Sequence, residues 1–276
     1  QASDEITTVA DKCIYVMTPE FGAQSQLEKI VIESDAFPSD KYGVESQLKF
    51  HGIDPDEGLI LWSPREGEEL CRFEDLENIM NEQGDSIALL MIGSTNYYTG
   101  QSFPLKKITQ LGHSHNCMVG FDLAHGAGNI QPNLHDTGAD FAVWCTYKYL
   151  NSGPGSLAGC FVHERHATNN SLNRFAGWWG HNKDTRFNMR KGFDPIPGAE
   201  GWQLSNPPIL SLAAIRASLA IFDEAGEPVN GARADSEGLA DLGDGAYAVS
   251  FEREHRIWRY ELGADWSGMD DALPTP

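Results

Sequence analysis

Residues 118–128 read Met118-Val-Gly-Phe-Asp-Leu-Ala-His-Gly-Ala-Gly128, and residues 139–155 read Ala139-Asp-Phe-Ala-Val-Trp-Cys-Thr-Tyr-Lys-Tyr-Leu-Asn-Ser-Gly-Pro-Gly155. Each stretch contains a short apolar run, typical of a buried strand, and then reaches a charged side chain, Asp122 in the first and Lys148 in the second. In an open parallel sheet, ligands bind beyond the carboxyl ends of the strands. We therefore expect Asp122 and Lys148 to face the same crevice.

The pattern around these two stretches predicts the rest of the sheet. From about residue 25 to residue 226, short apolar runs alternate with amphipathic segments, as in a parallel sheet covered by helices. A helix is predicted over 104–115, because Pro104 suits a first turn and Leu105 and Ile108 share one face. The predicted strands span 29–34, 86–92, 118–121, 141–146 and 157–163. The sequence therefore predicts an α/β fold.

An aspartate and a lysine at neighbouring strand ends are the two groups that pyridoxal phosphate requires. The aldehyde of this cofactor condenses with a lysine amine, and a carboxylate beside its ring nitrogen keeps that nitrogen protonated. Desolvation lowers the pKa of a lysine and so frees the amine for this reaction. Taken alone, the two residues fit a structural role as well as they fit a cofactor site. In a structural role, they would form an ion pair or face solvent.

Seven short segments share their residues and their order with one enzyme family: Ala36-Phe-Pro-Ser-Asp40, Tyr98-Thr-Gly-Gln101, Phe121-Asp-Leu-Ala-His125, Tyr147-Lys-Tyr-Leu-Asn151, Gly177-Trp-Trp-Gly-His181, Thr185-Arg-Phe187 and Leu204-Ser-Asn-Pro-Pro-Ile209. This set resembles kynureninase, a pyridoxal-phosphate hydrolase of the aminotransferase class V group. The resemblance covers roughly residues 25–226. It implies the large domain of the aspartate aminotransferase-like fold, fold type I, present here in incomplete form with three layers and a mostly parallel sheet.

The resemblance assigns the chemistry to three residues. Lys148 would carry the cofactor as a Schiff base, Asp122 would pair with the pyridine nitrogen, and Tyr147 would donate a proton near the substrate carbonyl. The implied reaction is the hydrolysis of L-kynurenine or 3-hydroxy-L-kynurenine to anthranilate or 3-hydroxyanthranilate and L-alanine, in tryptophan catabolism and NAD biosynthesis.

The same resemblance implies a wider cofactor site, with Phe37 stacked on the pyridine ring. Trp178 and Asn206 would enter this site from the second subunit of a homodimer. Each of these three residues also has a purely structural explanation: Phe37 as a core residue, Trp178 as a packing residue and Asn206 as a turn residue. The implied cofactor-binding residues are Phe37, Pro38, Ser39, Asp40, Asp122, His125, Tyr147, Lys148, Trp178 and Asn206.

Composition limits the partners of this chain. Its 20 Lys and Arg against 40 Asp and Glu give a formal net charge of −20, which argues against nucleic acid and anionic membranes. No apolar run approaches the length of a membrane span. The five cysteines are widely spaced and form no Cys/His cluster, so we expect buried thiols, a cytoplasmic location and no metal site. His113 and His115 on the predicted helix are expected to face solvent.

Three segments are predicted along the chain. Residues 1–24 remain without assignment, residues 25–226 form the partial cofactor-binding domain, and residues 227–276 form an acidic, β-rich tail with an antiparallel hairpin over 245–261. Through Glu237-Gly-Leu-Ala240 and Val249-Ser-Phe-Glu-Arg-Glu-His-Arg-Ile-Trp-Arg-Tyr260, the tail resembles a blade of the esterase-like, phytase-type propellers. A single blade cannot form a propeller, because each blade buries its faces against neighbours.

Two other functions stay open at this point. A desulfurase or aminotransferase of the same class would use the same cofactor, although a desulfurase needs a cysteine on a mobile loop, whereas Cys145 and Cys160 lie in apolar runs. A non-catalytic remnant or fusion product would bind pyridoxal phosphate without turnover. The sequence also leaves open whether Gly93 or Ser94 takes the place of a serine that several family members carry before the Tyr-Thr-Gly segment.

Overall fold

The computed structural model describes residues 26–170, 172, 174–189, 191–225, 236–243, 246–251 and 256–261 of the 276-residue chain. Side chains are described up to residue 222. Residues 1–24, which have no predicted assignment, lie outside these ranges.

A six-stranded sheet forms the centre of the described structure. Its strands are Lys29–Glu33 (β1), Leu59–Trp62 (β2), Ile87–Gly93 (β3), Met118–Asp122 (β4), Phe141–Cys145 (β5) and Ala158–Val162 (β6). They lie in the order β2-β1-β3-β4-β5-β6. All neighbours are parallel except β5 and β6, which are antiparallel. The prediction of a mostly parallel sheet is therefore confirmed.

Six described helices connect or follow these strands. They are Pro38–Phe50 (α1), Pro55–Gly58 (α2), Phe73–Gln83 (α3), Leu105–Ser114 (α4), Leu134–Thr137 (α5) and Ile209–Ala225 (α6). Single 3₁₀ turns occur at Gly84–Ser86, Glu164–His166, Arg186–Asn188 and Ala199–Trp202. In the described part of the chain, no helix combines the length and the apolar composition needed to cross a membrane.

Apolar side chains pack on both faces of the sheet and create three layers. On one face, Ile30 and Ile32 of β1 pack with Val44 and Leu48 of α1. On the other face, the alternate residue Val31 belongs to a second core, which also contains Leu76 and Met80 of α3 and Ile108 of α4. Strand β3 is buried along both faces, so its run of apolar residues lacks the alternation of a half-exposed strand.

The five predicted strands are confirmed, with each end shifted by no more than one residue, and α4 confirms the helix predicted over 104–115. Strand β2 is absent from the sequence prediction. It contains four residues, Leu-Ile-Leu-Trp, and follows α2 directly. A run this short gives little periodic signal, and its strand structure comes from pairing with β1.

A polar cluster around Asp140 ties together elements at the amino ends of the central strands. Asp140 directly precedes β5, and its side chain is 2% exposed. It accepts hydrogen bonds from the Val119 backbone N–H at 2.8 Å and from Arg165 Nε at 3.1 Å. His113 Nε2 and His166 Nε2 lie 2.9 and 2.8 Å from its oxygens. Burial alone would raise the pKa of Asp140, but the bonds from His113, His166 and Arg165 lower this pKa below its usual range.

This cluster refines the prediction for His113. The ring is exposed on α4, as expected, but one nitrogen bonds to Asp140 rather than to water alone. His115, the residue after α4, is half-buried, and its ring packs where a Cβ on Gly84 would stand. His115 is therefore only partly exposed to solvent, because the end of α4 packs against the end of α3.

The described part of the acidic tail forms a separate antiparallel sheet. Its strands are Ser236–Gly243 (β7), Ala246–Phe251 (β8) and Arg256–Glu261 (β9), in the order β7-β8-β9. Antiparallel pairing of β8 with β9 confirms the hairpin predicted over 245–261. The boundaries near residues 24 and 226, and the resemblance to a propeller blade, stay predictions.

Candidate active site

The ends of three parallel strands bring most of the predicted site residues into one pocket. Asp122 is the last residue of β4, Lys148 follows β5 by three residues, and Phe37 lies in the turn between β1 and α1. The pocket is lined by Phe37, Ser39, Asp40, Asp122, Ala124, His125, Tyr147 and Lys148. The expectation that Asp122 and Lys148 face the same crevice is thus confirmed.

Lys148 occupies the centre of this pocket. Its Nζ lies 3.2 Å from His125 Nε2 and 5.6 Å from the centre of the Phe37 ring. Burial and the positive charge of Lys148 lower the pKa of His125 to about 4. His125 is therefore neutral at pH 7 and can accept a hydrogen bond from the lysine ammonium.

Asp40 and Asp122 form a hydrogen-bonded pair of acids in the pocket. Burial raises the pKa of Asp122, which is 9% exposed. Burial also raises the pKa of Asp40 to about 9, together with the charge of Asp122 and a hydrogen bond to it. Asp40 therefore keeps its proton and donates to Asp122, which also accepts from the Ala124 backbone N–H at 2.7 Å. Both hydrogen bonds favour the ionised form of Asp122 and so oppose the effect of its burial.

Tyr147 lies directly before the lysine. Burial and the neighbouring Cys145 raise the pKa of Tyr147 to about 12. Its hydroxyl is therefore protonated at neutral pH, as a proton donor requires. The Tyr147 ring centre lies 5.9 Å from Lys148 Nζ.

The segment Phe37-Pro-Ser-Asp40 owes its shape to the start of α1. Pro38 occupies the first turn, where its missing N–H costs no hydrogen bond. Phe37, the N-cap residue, makes an edge-on contact with Tyr97 at 5.2 Å between ring centres. Tyr97 also lies 6.2 Å from the His125 ring. Sequence reasoning missed Tyr97, because it immediately precedes the segment that carries the resemblance and no motif marks it.

Ser94 is, with Gly93, one of the two candidates for the family's serine position, and this assignment stays a prediction. Ser94 follows β3 and is fully buried, and its Oγ has no hydrogen-bond partner among the described residues. The same Oγ lies 2.2 Å from the position that a Cβ on Gly126 would occupy. Gly128 has a positive φ of 82° and packs against the Tyr149 carbonyl. Both glycines are therefore needed for the turn after Asp122 to pass beneath Ser94 and Tyr149.

Trp178 and Asn206 lie outside this pocket. Trp178 is 45% exposed, and its ring makes an edge-on contact with Phe187. Asn206 is exposed beside Ser205. Their predicted entry into the site of a second subunit stays a prediction.

Comparison with known sequences identifies relatives of this chain. The class V aminotransferase family matches residues 57–162. The kynureninase of Myxococcus xanthus is 56% identical over 224 residues, which are 81% of this chain and 52% of that protein. The kynureninase of Koribacter versatilis is also 56% identical, over 197 residues that make up 71% of this chain and 46% of that protein. Over most of its length, the chain is similar in sequence to these kynureninases. The chain therefore spans about half the length of these kynureninases.

Solved structures with the same fold share much less sequence. The cystine C–S lyase C-DES, in complex with its reaction product cysteine persulfide, has a TM-score of 0.64 at 16% identity. The likeness covers 96% of this chain and 70% of the C-DES chain. It confirms the predicted fold, the three-layer α/β fold of the fold type I pyridoxal-phosphate enzymes.

Proposed function

We propose that this chain provides the cofactor-binding part of a kynureninase-type hydrolase that uses pyridoxal phosphate. Its reaction would add water to L-kynurenine or 3-hydroxy-L-kynurenine and release L-alanine with anthranilate or 3-hydroxyanthranilate. The observation that carries the proposal is the convergence of Lys148 and Asp122 in one pocket, in a chain 56% identical to a kynureninase.

The residues of the pocket fit this cofactor. Asp122 offers a buried carboxyl group whose ionised form a protonated ring nitrogen would stabilise. Phe37 offers an aromatic surface beside Lys148, and the unpartnered Ser94 Oγ provides a buried hydrogen-bonding group near the turn after Asp122. When bound, the cofactor withdraws electrons from the bonds around the substrate amine.

The side chains of this chain divide the remaining tasks. The Lys148 amine would hold the cofactor aldehyde and, when released, move protons beside it. Neutral His125 accepts a hydrogen bond from this amine and so orients it. The protonated hydroxyl of Tyr147 would supply a proton at the substrate carbonyl.

We further propose a homodimer in a reducing, cytoplasmic compartment. Trp178 and Asn206 are exposed and thus accessible to a second subunit. In the described part of the chain, the cysteines at 71, 117 and 145 form no disulfide. A cross-linked dimer that loses cofactor affinity in Trp178→Ala would support the shared site, whereas a monomer with unchanged affinity would contradict it.

The central experiment compares Lys148→Ala with Lys106→Ala. Lys106 is an exposed residue of α4 at a distance from the pocket. Purified chain is titrated with pyridoxal phosphate, and the visible absorbance of lysine-bound cofactor is recorded. Anthranilate fluorescence is then followed after L-kynurenine is added. We expect wild type and Lys106→Ala to show this absorbance and Lys148→Ala to lack it.

The outcomes separate the candidate functions. Equal absorbance in all three proteins contradicts the role of Lys148. The anthranilate assay is also run after adding a full-length kynureninase chain whose own cofactor-binding lysine is replaced. Absorbance without anthranilate release under both conditions favours cofactor binding without turnover. Sulfide release from cysteine in place of anthranilate favours a desulfurase.

A further inference from the structure

Glu33 is a buried acid that neither the family resemblance nor the proposed reaction uses. It is the last residue of β1, and 4% of its surface is exposed. Both carboxylate oxygens accept from the Gly93 backbone N–H, at 3.1 and 3.2 Å. Among the residues with described side chains, no lysine, arginine or histidine forms an ion pair with Glu33. A carboxylate buried without a cation is costly, so Glu33 is sensitive to any positive charge that is brought near it.

The position of Glu33 links it to the acids of the pocket. Glu33 accepts a hydrogen bond from the Gly93 N–H, and Gly93 of β3 pairs in register with Asp122 of β4. A Cβ on Gly93 would stand 2.6 Å from Glu33 Oε1, so a larger residue at 93 would displace this carboxylate. The charge of Glu33 acts on Asp40, and the charge of Asp122 acts on Glu33. Glu33 is therefore the third acid of one buried group, behind the pair that would face the cofactor.

This group has more acids than bases. Lys148 is the cation that acts on Asp40 and Asp122. Glu33 itself faces the acids Asp35, from the segment after β1, and Asp122, from β4. It also lies near Cys71, from the segment before α3, whose pKa is raised to about 12, so this thiol is neutral. A second positive charge placed at Asp122 would relieve the repulsion among these acids. The protonated ring nitrogen of pyridoxal phosphate is such a charge.

We propose that Glu33 is a positioning residue whose negative charge, acting through Asp122 and Asp40, strengthens the binding of a cationic ring nitrogen. The proposal rests on the function proposed above. The proposal predicts that cofactor affinity is coupled to the ionisation of Glu33. A ligand that binds one protonation state of the protein more tightly also increases the population of that state.

The direction of this coupling follows from the charges. Burial raises the pKa of Glu33 to about 7 before the cofactor binds. An added cation favours the ionised form and lowers that pKa, so ionised Glu33 increases the affinity. From the Henderson relation, Glu33 is roughly nine-tenths ionised at pH 8 and roughly one-tenth at pH 6. The contribution of Glu33 should therefore be large at pH 8 and small at pH 6.

The test compares Glu33→Gln with Glu28→Gln. Glutamine keeps the size and an acceptor for the Gly93 N–H but never ionises. Glu28 directly precedes the same strand, at the end remote from the pocket, and its backbone bonds to Ser86. The dissociation constant of pyridoxal phosphate is measured at pH 6 and pH 8 by quenching of tryptophan fluorescence. Equal unfolding midpoints would establish that the variants fold alike.

We expect Glu33→Gln to weaken binding about tenfold at pH 8, which corresponds to one unit of pKa coupling, and less than about twofold at pH 6. Glu28→Gln should bind like wild type at both values. Wild-type affinity in Glu33→Gln, or an equal loss at pH 6 and pH 8, would overturn the proposal. An equal loss would indicate a structural role alone.

A second readout needs no cofactor. In the cofactor-free chain, the infrared band of protonated carboxyl groups should lose intensity between pH 6 and pH 8 in wild type but less so in Glu33→Gln. Identical spectra in the two proteins would also overturn the proposal. If wild type binds no cofactor through Lys148, the proposed function fails whatever the infrared result. If wild type does bind the cofactor and Glu33→Gln binds it equally well, the Glu33 proposal fails while the proposed function stands.

Discussion

Replacement of Asp140 by alanine should destabilise the fold without touching the pocket. Asp140 joins β5 to β4 through the Val119 N–H, to α4 through His113 and to the segment after β6 through Arg165 and His166. All these contacts lie at the amino ends of β4 and β5, whereas the pocket lies at their carboxyl ends. The variant therefore tests the scaffold independently of the chemistry.

The expected loss is the sum of three contributions, because His113 is 37% exposed and can turn to water at little cost. The buried Val119 N–H loses its acceptor, which costs about 1 to 3 kcal/mol. The Arg165 side chain is 36% exposed and can turn to water, so its lost pair is worth about 1 kcal/mol or less. His166 loses one hydrogen bond, worth about 1 kcal/mol. We therefore expect Asp140→Ala to lower the free energy of unfolding by about 3 kcal/mol.

Urea unfolding at pH 7, followed by tryptophan fluorescence and circular dichroism, measures this loss. At pH 7 the contribution of Asp140 is complete, because its pKa is lowered in the folded state. That contribution disappears only as the pH falls through this lowered pKa. Asp136→Ala is the matched control, since Asp136 is 85% exposed and bonds to the exposed His135. The control should change stability by less than about 0.5 kcal/mol.

Two results would refute this reasoning. If Asp140→Ala costs less than about 1 kcal/mol, the cluster is weaker than its geometry implies. If Asp136→Ala costs as much as Asp140→Ala, the loss reflects general surface charge rather than the buried contacts.

The other predictions concern the central strand and the pocket. Gly120→Ala would place a Cβ 2.1 Å from the buried Phe141 ring, so we expect it to cost about 1 to 3 kcal/mol in the same urea assay; an unchanged midpoint would contradict the packing. Because the pKa of His125 is lowered to about 4, its ring signals in NMR should not titrate between pH 8 and pH 5. As the pH falls from about 6.5 to 4, the unfolded chain binds this proton first, so His125 should reduce stability across that window. Titration of His125 near pH 6.5 in wild type would contradict its burial beside Lys148.

The position of the site was predictable because parallel strands align their ends. Asp122 and Lys148 each follow an apolar run, and the sheet brings such ends to one edge. Phe37 and Asp40 carry no such signal of their own, and they were predicted through the family resemblance. Helix and strand positions around them followed from apolar periodicity, which the two cores on either face of the sheet confirm.

What the sequence did not reveal depends on contacts between distant residues. Glu33 ends an apolar strand and gives no hint that its carboxylate turns inward to Gly93, which lies sixty residues later. Asp140 lies just before the strand predicted over 141–146, yet its side chain contacts residues as far apart as 113 and 166. Local patterns cannot identify such partners, because three-dimensional packing alone brings them together.

Strand β6 affects how any dimer of this chain should be interpreted. It ends the six-stranded sheet, and in the described part of the chain its outer side has no neighbouring strand. An open strand edge can pair with another polypeptide through its backbone groups. Two copies could therefore associate edge to edge through the β6 backbone, in a way that needs neither Trp178 nor Asn206. A proline at Cys160, within β6, would block such pairing while leaving those two residues intact, so it separates adventitious association from a dimer that shares its sites.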